Sequence, residues 1–395
     1  MITVFRLVRG LNVIKILSLV EKEGHWLRLI LKKLHTKLLF SFFVVLSGAE
    51  SMADRSKTSV LEGLQNREEP GWVVRERKLP PPASASTELQ HAIVISPRPL
   101  VAELGQEPPQ SETEWLTMQR DSNKASLGDI AELMGVSISR DQIAGVPVYR
   151  VSPKKGASKH DAKLFLHFHA GGYVLTGGDA ATGEAALISG AIGIEVISVD
   201  YRMSPLHPFP AALEDAVAVY KEIMRKHSAG SIIIGGSSAG GGLSLATVHQ
   251  LKTLGLNLPG AIWVGTPWAD LSKTGDSLFT NEGVDRVVVT YDGVMEAMAR
   301  LYASGENLKN PLISPVYGEF NGFPPTQLVT GTRDLFLSDT VRTHRKMRAA
   351  GVAADLNVYE GFSHAEYLMV PDSAESREVL LELDSFIENI VPVME

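Results

Sequence analysis

The sequence contains no cysteine, and only 21% of its residues are charged against 44% that are hydrophobic. Without a thiol, disulfides, thiolate metal sites and a cysteine nucleophile are all excluded. A chain of 395 residues buries enough apolar surface to fold without disulfides, so this absence leaves the cellular compartment open. The 35 glycines and 21 prolines follow no period, which excludes a collagen-like chain. The composition is that of a globular protein with a large core.

An excess of positive charge is also missing. Lys and Arg number 38 while Asp and Glu number 45, which gives a formal net charge of −7. Residues 1–50 hold eight basic and three acidic side chains, so the remaining residues carry −12. An acidic body repels phosphate backbones, which argues against a general nucleic-acid-binding role.

The amino-terminal region lacks a run long enough for a membrane span, which needs about 20 apolar residues. Basic residues precede the short apolar run 38–46, and the small residues Ser47, Gly48 and Ala49 follow it. This order is typical of a secretory signal. We therefore interpret residues 1–50 as a signal or targeting segment, which predicts a periplasmic or secreted protein. The alternative is a cytoplasmic enzyme that begins at Met52.

Short apolar segments alternate with helical patterns from about Gly145 onward. Such alternation predicts an α/β fold with a mostly parallel sheet that helices cover on both faces. The predicted strands are 146–151, 163–169, 193–200, 231–235, 261–265, 326–330 and 355–359, and the predicted helices are 210–227, 238–254, 338–350 and 373–390.

Two stretches interrupt this alternation. Residues 51–145 are rich in proline and are interpreted as an irregular, partly helical cap segment. Residues 272–310 separate two strands and are interpreted as a lid insertion within a catalytic domain of residues 146–395. Insertions after the carboxyl ends of parallel strands lie over the site crevice, although ordinary surface decoration remains an alternative for both.

The segment Gly236-Ser237-Ser238-Ala239-Gly240 follows an apolar strand and precedes a helical pattern. It fits G-x-S-x-G, in which the central serine occupies a strained turn and its hydroxyl projects outward. A Cβ at either outer glycine would collide with neighbouring backbone. The pattern indicates Ser238 as a nucleophile; a glycine-rich helix start that binds phosphate or only packs is the alternative.

A second glycine-rich loop, His169-Ala170-Gly171-Gly172, follows the strand at 163–169. Its position favours an oxyanion loop, with backbone N–H groups of Gly171, Gly172 and Ala239 as donors to a developing alkoxide. His167 and His169 could form a zinc pair, but no further ligands follow at suitable spacing. We therefore predict no metal and no cofactor, with His169 bracing the loop and His167 in the core.

A serine nucleophile needs a base, and the base needs an orienting carboxylate. Asp334 and His364 each follow a predicted strand, in the chain order Ser, Asp, His that hydrolases of this topology use. Asp339 competes with Asp334, but its place inside the next helix favours capping or charge pairing. We predict that His364 takes the proton of Ser238 and that Asp334 fixes the tautomer of His364.

Taken together, these motifs resemble those of the bacterial hormone-sensitive-lipase-like esterases of the α/β-hydrolase fold, over roughly residues 145–390. The resemblance rests on His169-Ala170-Gly171-Gly172, Asp200-Tyr201-Arg202-Met203-Ser204-Pro205, His207-Pro208-Phe209-Pro210-Ala211-Ala212, Gly236–Gly240, Asp334-Leu335 and Ser363-His364. It implies a triad of Ser238, Asp334 and His364, and an oxyanion hole of Gly171, Gly172 and Ala239.

This sequence departs from the family pattern at Ala170, where the family has glycine, and at Ser237, where many members have aspartate. The segment 267–271 and the residues around His364 look similar to the acetyl-hydrolase and monoterpene ε-lactone hydrolase branch. The resemblance also implies that the segment Asp200-Tyr201-Arg202 braces the loop near the oxyanion hole.

The predicted function is hydrolysis of small neutral carboxylic esters through an acyl-enzyme. A lactone, carbamate or amide hydrolase with the same triad is one alternative, and a non-catalytic ligand receptor on the same fold is another. No nucleic-acid or metal partner is expected, and a homodimer is possible. Four aromatic residues, Trp115, Phe279, Tyr291 and Tyr302, are expected either in an apolar pocket or in the core.

Overall fold

The computed structural model describes residues 77–96, 107–154 and 159–389. The predicted targeting segment 1–50 and the alternative start at Met52 lie outside these ranges, so both stay predictions. The described residues from Pro80 onward belong to one compact unit. Within the described ranges, no helix combines the length and apolar character that crossing a membrane requires.

Among the described residues, the core element is a single sheet of eight strands in the order β1-β2-β4-β3-β5-β6-β7-β8. The strands are β1 Val136–Ile143, β2 Val146–Pro153, β3 Leu164–Phe168, β4 Glu195–Val199, β5 Ile232–Ser237, β6 Ala261–Gly265, β7 Thr326–Gly331 and β8 Ala354–Tyr359. Strand β2 is antiparallel to both of its neighbours, β1 and β4. The remaining strands, in the sheet order β4, β3, β5, β6, β7 and β8, run parallel to one another. The predicted α/β-hydrolase architecture with a mostly parallel sheet is confirmed.

Helices cover both faces of this sheet. They are α1 Thr87–Ile95, α2 Glu112–Ser122, α3 Leu127–Met134, α4 Thr182–Ile192, α5 Ala211–Ile223, α6 Ala239–Thr253, α7 Ser277–Thr280, α8 Val294–Ala303, α9 Leu337–Ala349, α10 Glu366–Met369 and α11 Ala374–Glu388, with short 3₁₀ turns at Gly178–Ala181, Ala229–Ser231 and Pro315–Tyr317. Helices α5, α6, α8 and α9 contribute to one apolar cluster, while α1, α4 and α11 contribute to the other.

Strand β5 shows why the sequence forms a sheet buried on both faces. Side chains of a strand alternate between faces, so Ile232 and Ile234 enter one apolar cluster while Ile233 enters the other. All six residues of β5 are buried. A run of β-branched residues with no polar alternation fits this position, since both faces are covered by helices.

The interpretation of 51–145 as an irregular cap is wrong for its last part. Residues Val136–Ile143 form β1, which pairs antiparallel with β2 across a tight turn at Ala144 and Gly145. Strand β1 lies at the sheet edge, and most of its side chains are exposed or half-buried. Because much of β1 faces solvent, its sequence is largely polar and lacks the run of apolar residues by which a buried strand is recognised. The insertion 272–310 lies between β6 and β7, as predicted, and contains α7 and α8.

Candidate active site

The turn between β5 and α6 holds Ser238 in a strained conformation. Its backbone has φ 56° and ψ −121°, a region that residues with a side chain rarely adopt and that costs about 1–3 kcal/mol. Ser238 N–H donates to the carbonyl of Gly265 at 2.9 Å, and Trp268 N–H donates to the Ser238 carbonyl at 2.9 Å. These bonds hold the turn, and the predicted strain at Ser238 is confirmed.

The two outer glycines of this turn pack directly on the end of β3. A Cβ at Gly236 would lie 2.0 Å from the Phe168 carbonyl oxygen, and one at Gly240 would lie 1.9 Å from the same atom. Real contacts are never this short, so the predicted collision is confirmed. The atom that an added Cβ would meet is the backbone carbonyl oxygen of Phe168. The serine turn and the end of β3 therefore pack so closely that no methyl group fits between them.

A buried polar network lies behind the serine turn. The Ser237 hydroxyl contacts both the Glu184 carboxylate and the Tyr367 hydroxyl. Glu184 Oε2 lies 3.1 Å from His167 Nε2, and His167 Nδ1 lies 2.9 Å from the Ser198 hydroxyl. Sequence reasoning missed Glu184, since its helix shows no motif. His167 is fully buried within this network, which confirms its predicted place in the core.

The loop after β3 presents free backbone N–H groups. Gly171 and Gly172 have φ values of +100° and +63°, which favour glycine, and a Cβ at Gly171 would lie 2.2 Å from the Leu175 carbonyl oxygen. Within the described residues, the N–H groups of Gly171, Gly172 and Ala239 donate to no other group. Ala239 is the first residue of α6, whose dipole concentrates positive potential there. All three N–H groups are therefore available to an anionic oxygen.

Aromatic stacking and hydrogen bonds fix the shape of this loop. The His169 ring stacks on Tyr201 at 4.0 Å and 2°, and the Tyr201 hydroxyl donates to the His169 carbonyl at 2.8 Å. His169 Nδ1 and Thr176 Oγ1 each donate to the Ala170 carbonyl at 2.8 Å. Burial lowers the pKa of His169 to about 3, so the ring is neutral. The bracing roles predicted for His169 and for the segment around Tyr201 are confirmed.

Side chains of the insertion and of the loop after β6 close one side of the oxyanion loop. A Cβ at Gly172 would lie 2.6 Å from Met298 Sδ of α8 and 3.6 Å from the Trp268 ring. Tyr302 of α8 stacks on Tyr173 at 3.8 Å. Of the four aromatic residues considered for an apolar pocket, Trp115, Tyr291 and Tyr302 are core residues, whereas Phe279 is 58% exposed.

The loops after β7 and β8 bring Asp334 and His364 together. His364 Nδ1 lies 3.1 Å from Asp334 Oδ1, and both side chains are buried. Thr330 Oγ1 donates to Asp334 Oδ2 at 2.6 Å, and Phe336 N–H donates to Asp334 Oδ1 at 2.8 Å. The Phe336 ring packs edge-on against the imidazole at 4.8 Å. With its proton on Nδ1 facing Asp334, His364 keeps Nε2 as the basic nitrogen.

Electrostatics at His364 favour a strong base. Burial alone would lower the pKa of His364, but the hydrogen bond to Asp334 and the charges of Asp334 and Asp285 raise it above its ordinary value. Asp339, the competing acid, accepts a hydrogen bond from Asp270 N–H at 2.9 Å. Burial raises the pKa of Asp339 well above its usual range. The geometry thus favours Asp334 over Asp339 as the partner of His364.

Ser238, Asp334 and His364 all follow the carboxyl ends of parallel strands. Ser238 comes directly after β5, Asp334 follows β7, and His364 follows β8. A series of contacts connects Ser238 to His364. The backbone N–H of Trp268 donates to the Ser238 carbonyl. The Trp268 ring stacks on Phe336 at 5.5 Å, and the Phe336 ring packs on His364. The three predicted triad residues therefore share one edge of the sheet.

Comparison with known proteins supports this description. Residues 165–368 match the model of a family described as an alpha/beta hydrolase fold. The chain is 29% identical to an acetyl-hydrolase of Streptomyces hygroscopicus, over 58% of this chain and 77% of that protein. It is similar to a crystal structure of the esterase E25, with 44% identity and a TM-score of 0.78, over 81% of this chain and 98% of that one. It is also similar to a crystal structure of an esterase from the bacterial hormone-sensitive lipase family, with 29% identity and a TM-score of 0.65, over 78% of this chain and 99% of that one.

Proposed function

Because the chain belongs to the bacterial hormone-sensitive-lipase-like esterases of the alpha/beta hydrolase fold, we propose that it hydrolyses carboxylic esters through an acyl-enzyme on Ser238. The chain is a serine carboxylesterase. The observation that carries the residue roles is the 3.1 Å contact of His364 Nδ1 with Asp334 Oδ1, at the same sheet edge as the strained Ser238.

The first step is attack of the Ser238 hydroxyl oxygen on the ester carbonyl carbon. His364 Nε2 accepts the hydroxyl proton as the new C–O bond forms, and the carbonyl π electrons move to oxygen. The N–H groups of Gly171, Gly172 and Ala239 stabilise the resulting alkoxide, and one such donor typically contributes about 3 kcal/mol. The negative charge of Asp334 stabilises the imidazolium at the same time.

The second step breaks the bond to the alcohol. As the alkoxide collapses, the imidazolium of His364 donates its proton to the leaving oxygen, and the acyl group remains on Ser238. Water then repeats the sequence as nucleophile, with His364 again the base, and releases the carboxylic acid. The cycle returns every proton and needs no redox partner.

We propose small neutral esters as the substrate class. The acidic body, with a charge of −12 beyond residue 50, repels anionic substrates. Met298 and Trp268 lie close to Gly172 of the oxyanion loop and present apolar surface there. The insertion 272–310 serves as a lid in this proposal, since α8 carries Met298 to the site. The possible homodimer stays a prediction.

A graded panel tests the function. The purified chain is assayed with 4-nitrophenyl esters of increasing acyl length, with lactones of matched size, and with a 4-nitroanilide. We expect the short neutral esters to give the highest kcat/KM and Ser238→Ala to abolish their turnover. Faster lactone opening would reassign the substrate class. Tight binding of an ester without turnover by the wild type would instead indicate a receptor.

A further inference from the structure

The first half of the insertion 272–310 does more than cover the site, because it is bonded to the loop that carries the acid. Asn281 Nδ2 donates to the carbonyls of Asp334 at 2.8 Å and Thr332 at 3.2 Å. Ser277 Oγ donates to the Leu335 carbonyl at 2.7 Å. These bonds make the insertion a support for the loop after β7.

Asp285 extends this support to the base. Its side chain is fully buried, and Oδ2 accepts the backbone N–H of Leu335 at 2.7 Å and of His364 at 3.1 Å. Oδ1 accepts the N–H groups of Val287 at 2.8 Å and Val288 at 3.1 Å. One carboxylate oxygen thus bridges the residue after the catalytic acid and the catalytic base itself.

We propose that Asp285 is a positioning residue for ester hydrolysis, whose carboxylate ties the acid loop to the base loop and so holds His364 against Asp334. The inference rests on the proposed function. The insertion 272–310 then has a part in the chemistry that a lid alone does not have, because Asp285 is hydrogen-bonded to residues of both catalytic loops.

The same carboxylate contributes charge. Within the part of the chain that the structure describes, the ionisable groups that act on the His364 imidazole are Asp334 from the loop after β7 and Asp285 from the insertion. The nearby pair of Arg286 and Glu366 consists of opposite charges in contact with each other. Burial and the charge of Asp334 raise the pKa of Asp285 to about 6, so Asp285 is ionised above neutral pH. In that state it favours the imidazolium that forms when His364 takes the serine proton.

An amide cannot replace this carboxylate. Each oxygen of Asp285 accepts two N–H groups, whereas asparagine offers one oxygen and one NH₂ group, which is itself a donor. In Asp285→Asn, one pair of backbone donors therefore faces another donor, and the negative charge is lost.

The test compares Asp285→Asn with the wild type across pH. We expect kcat per active site to fall about 10–100-fold while KM changes less than about threefold, because the acid–base pair is misplaced without loss of substrate contacts. We expect the acidic limb of kcat/KM to move to lower pH by at least about 0.5 unit, because a neighbouring negative charge is removed. A merely structural role would not move that limb.

The matched control is Asp339→Asn. Asp339 is also a buried carboxylate at this sheet edge, but it accepts a single backbone N–H and bonds to neither Asp334 nor His364. The control is expected to keep the wild-type pH profile. If Asp285→Asn matches the wild type in kcat and pH profile while Ser238→Ala is inactive, the inference is overturned and the proposed function stands. If Ser238→Ala stays active, the proposed function itself fails.

Should Asp285→Asn not fold, the wild-type protein decides. With ¹⁵N-labelled leucine and histidine, the amide hydrogens of Leu335 and His364 are expected to exchange slowly with solvent deuterium, because both donate to the buried carboxylate of Asp285. A Leu335 or His364 amide hydrogen that exchanges as fast as an amide without a hydrogen bond would overturn the inference.

Discussion

At the residue scale, the geometry of the site depends on hydrogen bonds between residues that are far apart in the sequence. Ser238, Asp334 and His364 were predictable because each sits in a local pattern of strand, turn and small residues. Glu184 and Asp285 were not, since their partners Ser237 and His364 lie 53 and 79 positions away. A buried carboxylate has the same sequence signature as a surface one, so only the fold reveals it.

The tautomer of His364 is set by Asp334, which makes Asp334→Asn informative. The amide keeps the shape, but its NH₂ group can donate to Nδ1, which shifts the proton to Nε2 and removes the base. By analogy with other serine triads we expect kcat to fall about 10⁴-fold with little change in KM. Steady-state kinetics on active-site-titrated enzyme measures this. Turnover within tenfold of the wild type would show that another residue orients His364.

The pH dependence of kcat/KM follows from the same contact. Activity needs neutral His364, and the charges of Asp334 and Asp285 raise the pKa of His364 above 6.5. Activity is therefore expected to fall as pH decreases through a midpoint above 6.5. Measuring kcat/KM for a non-ionising ester between pH 4 and pH 9 gives that midpoint for the free enzyme. A midpoint below pH 6 contradicts the electrostatic account.

At the element scale, the prediction succeeded for the strands that are buried on both faces and failed for the exposed edge strand β1. Strand β5 has three isoleucines in succession, which carry a strong signal. Strand β1 contains Arg140, Asp141 and Gln142 in its exposed middle, so its pattern resembles a loop. Helix α4 also went unrecognised, because its sequence contains Gly183 and Gly190. In the folded protein, the pairing of β1 with β2 and the packing of α4 on the sheet override these weak local preferences.

The junction of α6 with the end of β3 gives a stability prediction. Gly240→Ala places a Cβ 1.9 Å from the Phe168 carbonyl oxygen, so strand and helix must separate. We expect a loss of about 3 kcal/mol or more in the free energy of unfolding, at the upper end of overpacking effects. Thermal or urea denaturation measures it.

Gly183→Ala is the matched control for this prediction. Gly183 lies within α4 and has no neighbouring atom within 4 Å of an added Cβ. Alanine in a helix is more favourable than glycine by about 1 kcal/mol, so this variant should be slightly stabilised. Equal stability of the two variants would mean that the packing of Gly240 on Phe168 is not as described.

At the scale of the whole molecule, charge selects among substrates. The residues beyond position 50 carry −12, and the resulting potential lowers the local concentration of anions. We expect 4-nitrophenyl valerate to be hydrolysed with a kcat/KM at least about tenfold above that of the 4-nitrophenyl monoester of glutarate, which has the same chain length and a carboxylate. Raising the ionic strength should narrow the gap, because salt screens long-range repulsion. Equal rates at low salt would exclude charge as a selector.

Every role proposed for the site requires that His364 makes Ser238 nucleophilic. A fluorophosphonate probe reacts with such a serine and leaves a stable adduct, which intact-mass and peptide mass spectrometry locate. The wild type is expected to gain one adduct, on the peptide that contains Ser238, while Ser238→Ala gains none and His364→Ala reacts far more slowly. Labelling of Ser238→Ala at the wild-type rate, or no labelling of the wild type, would contradict the account.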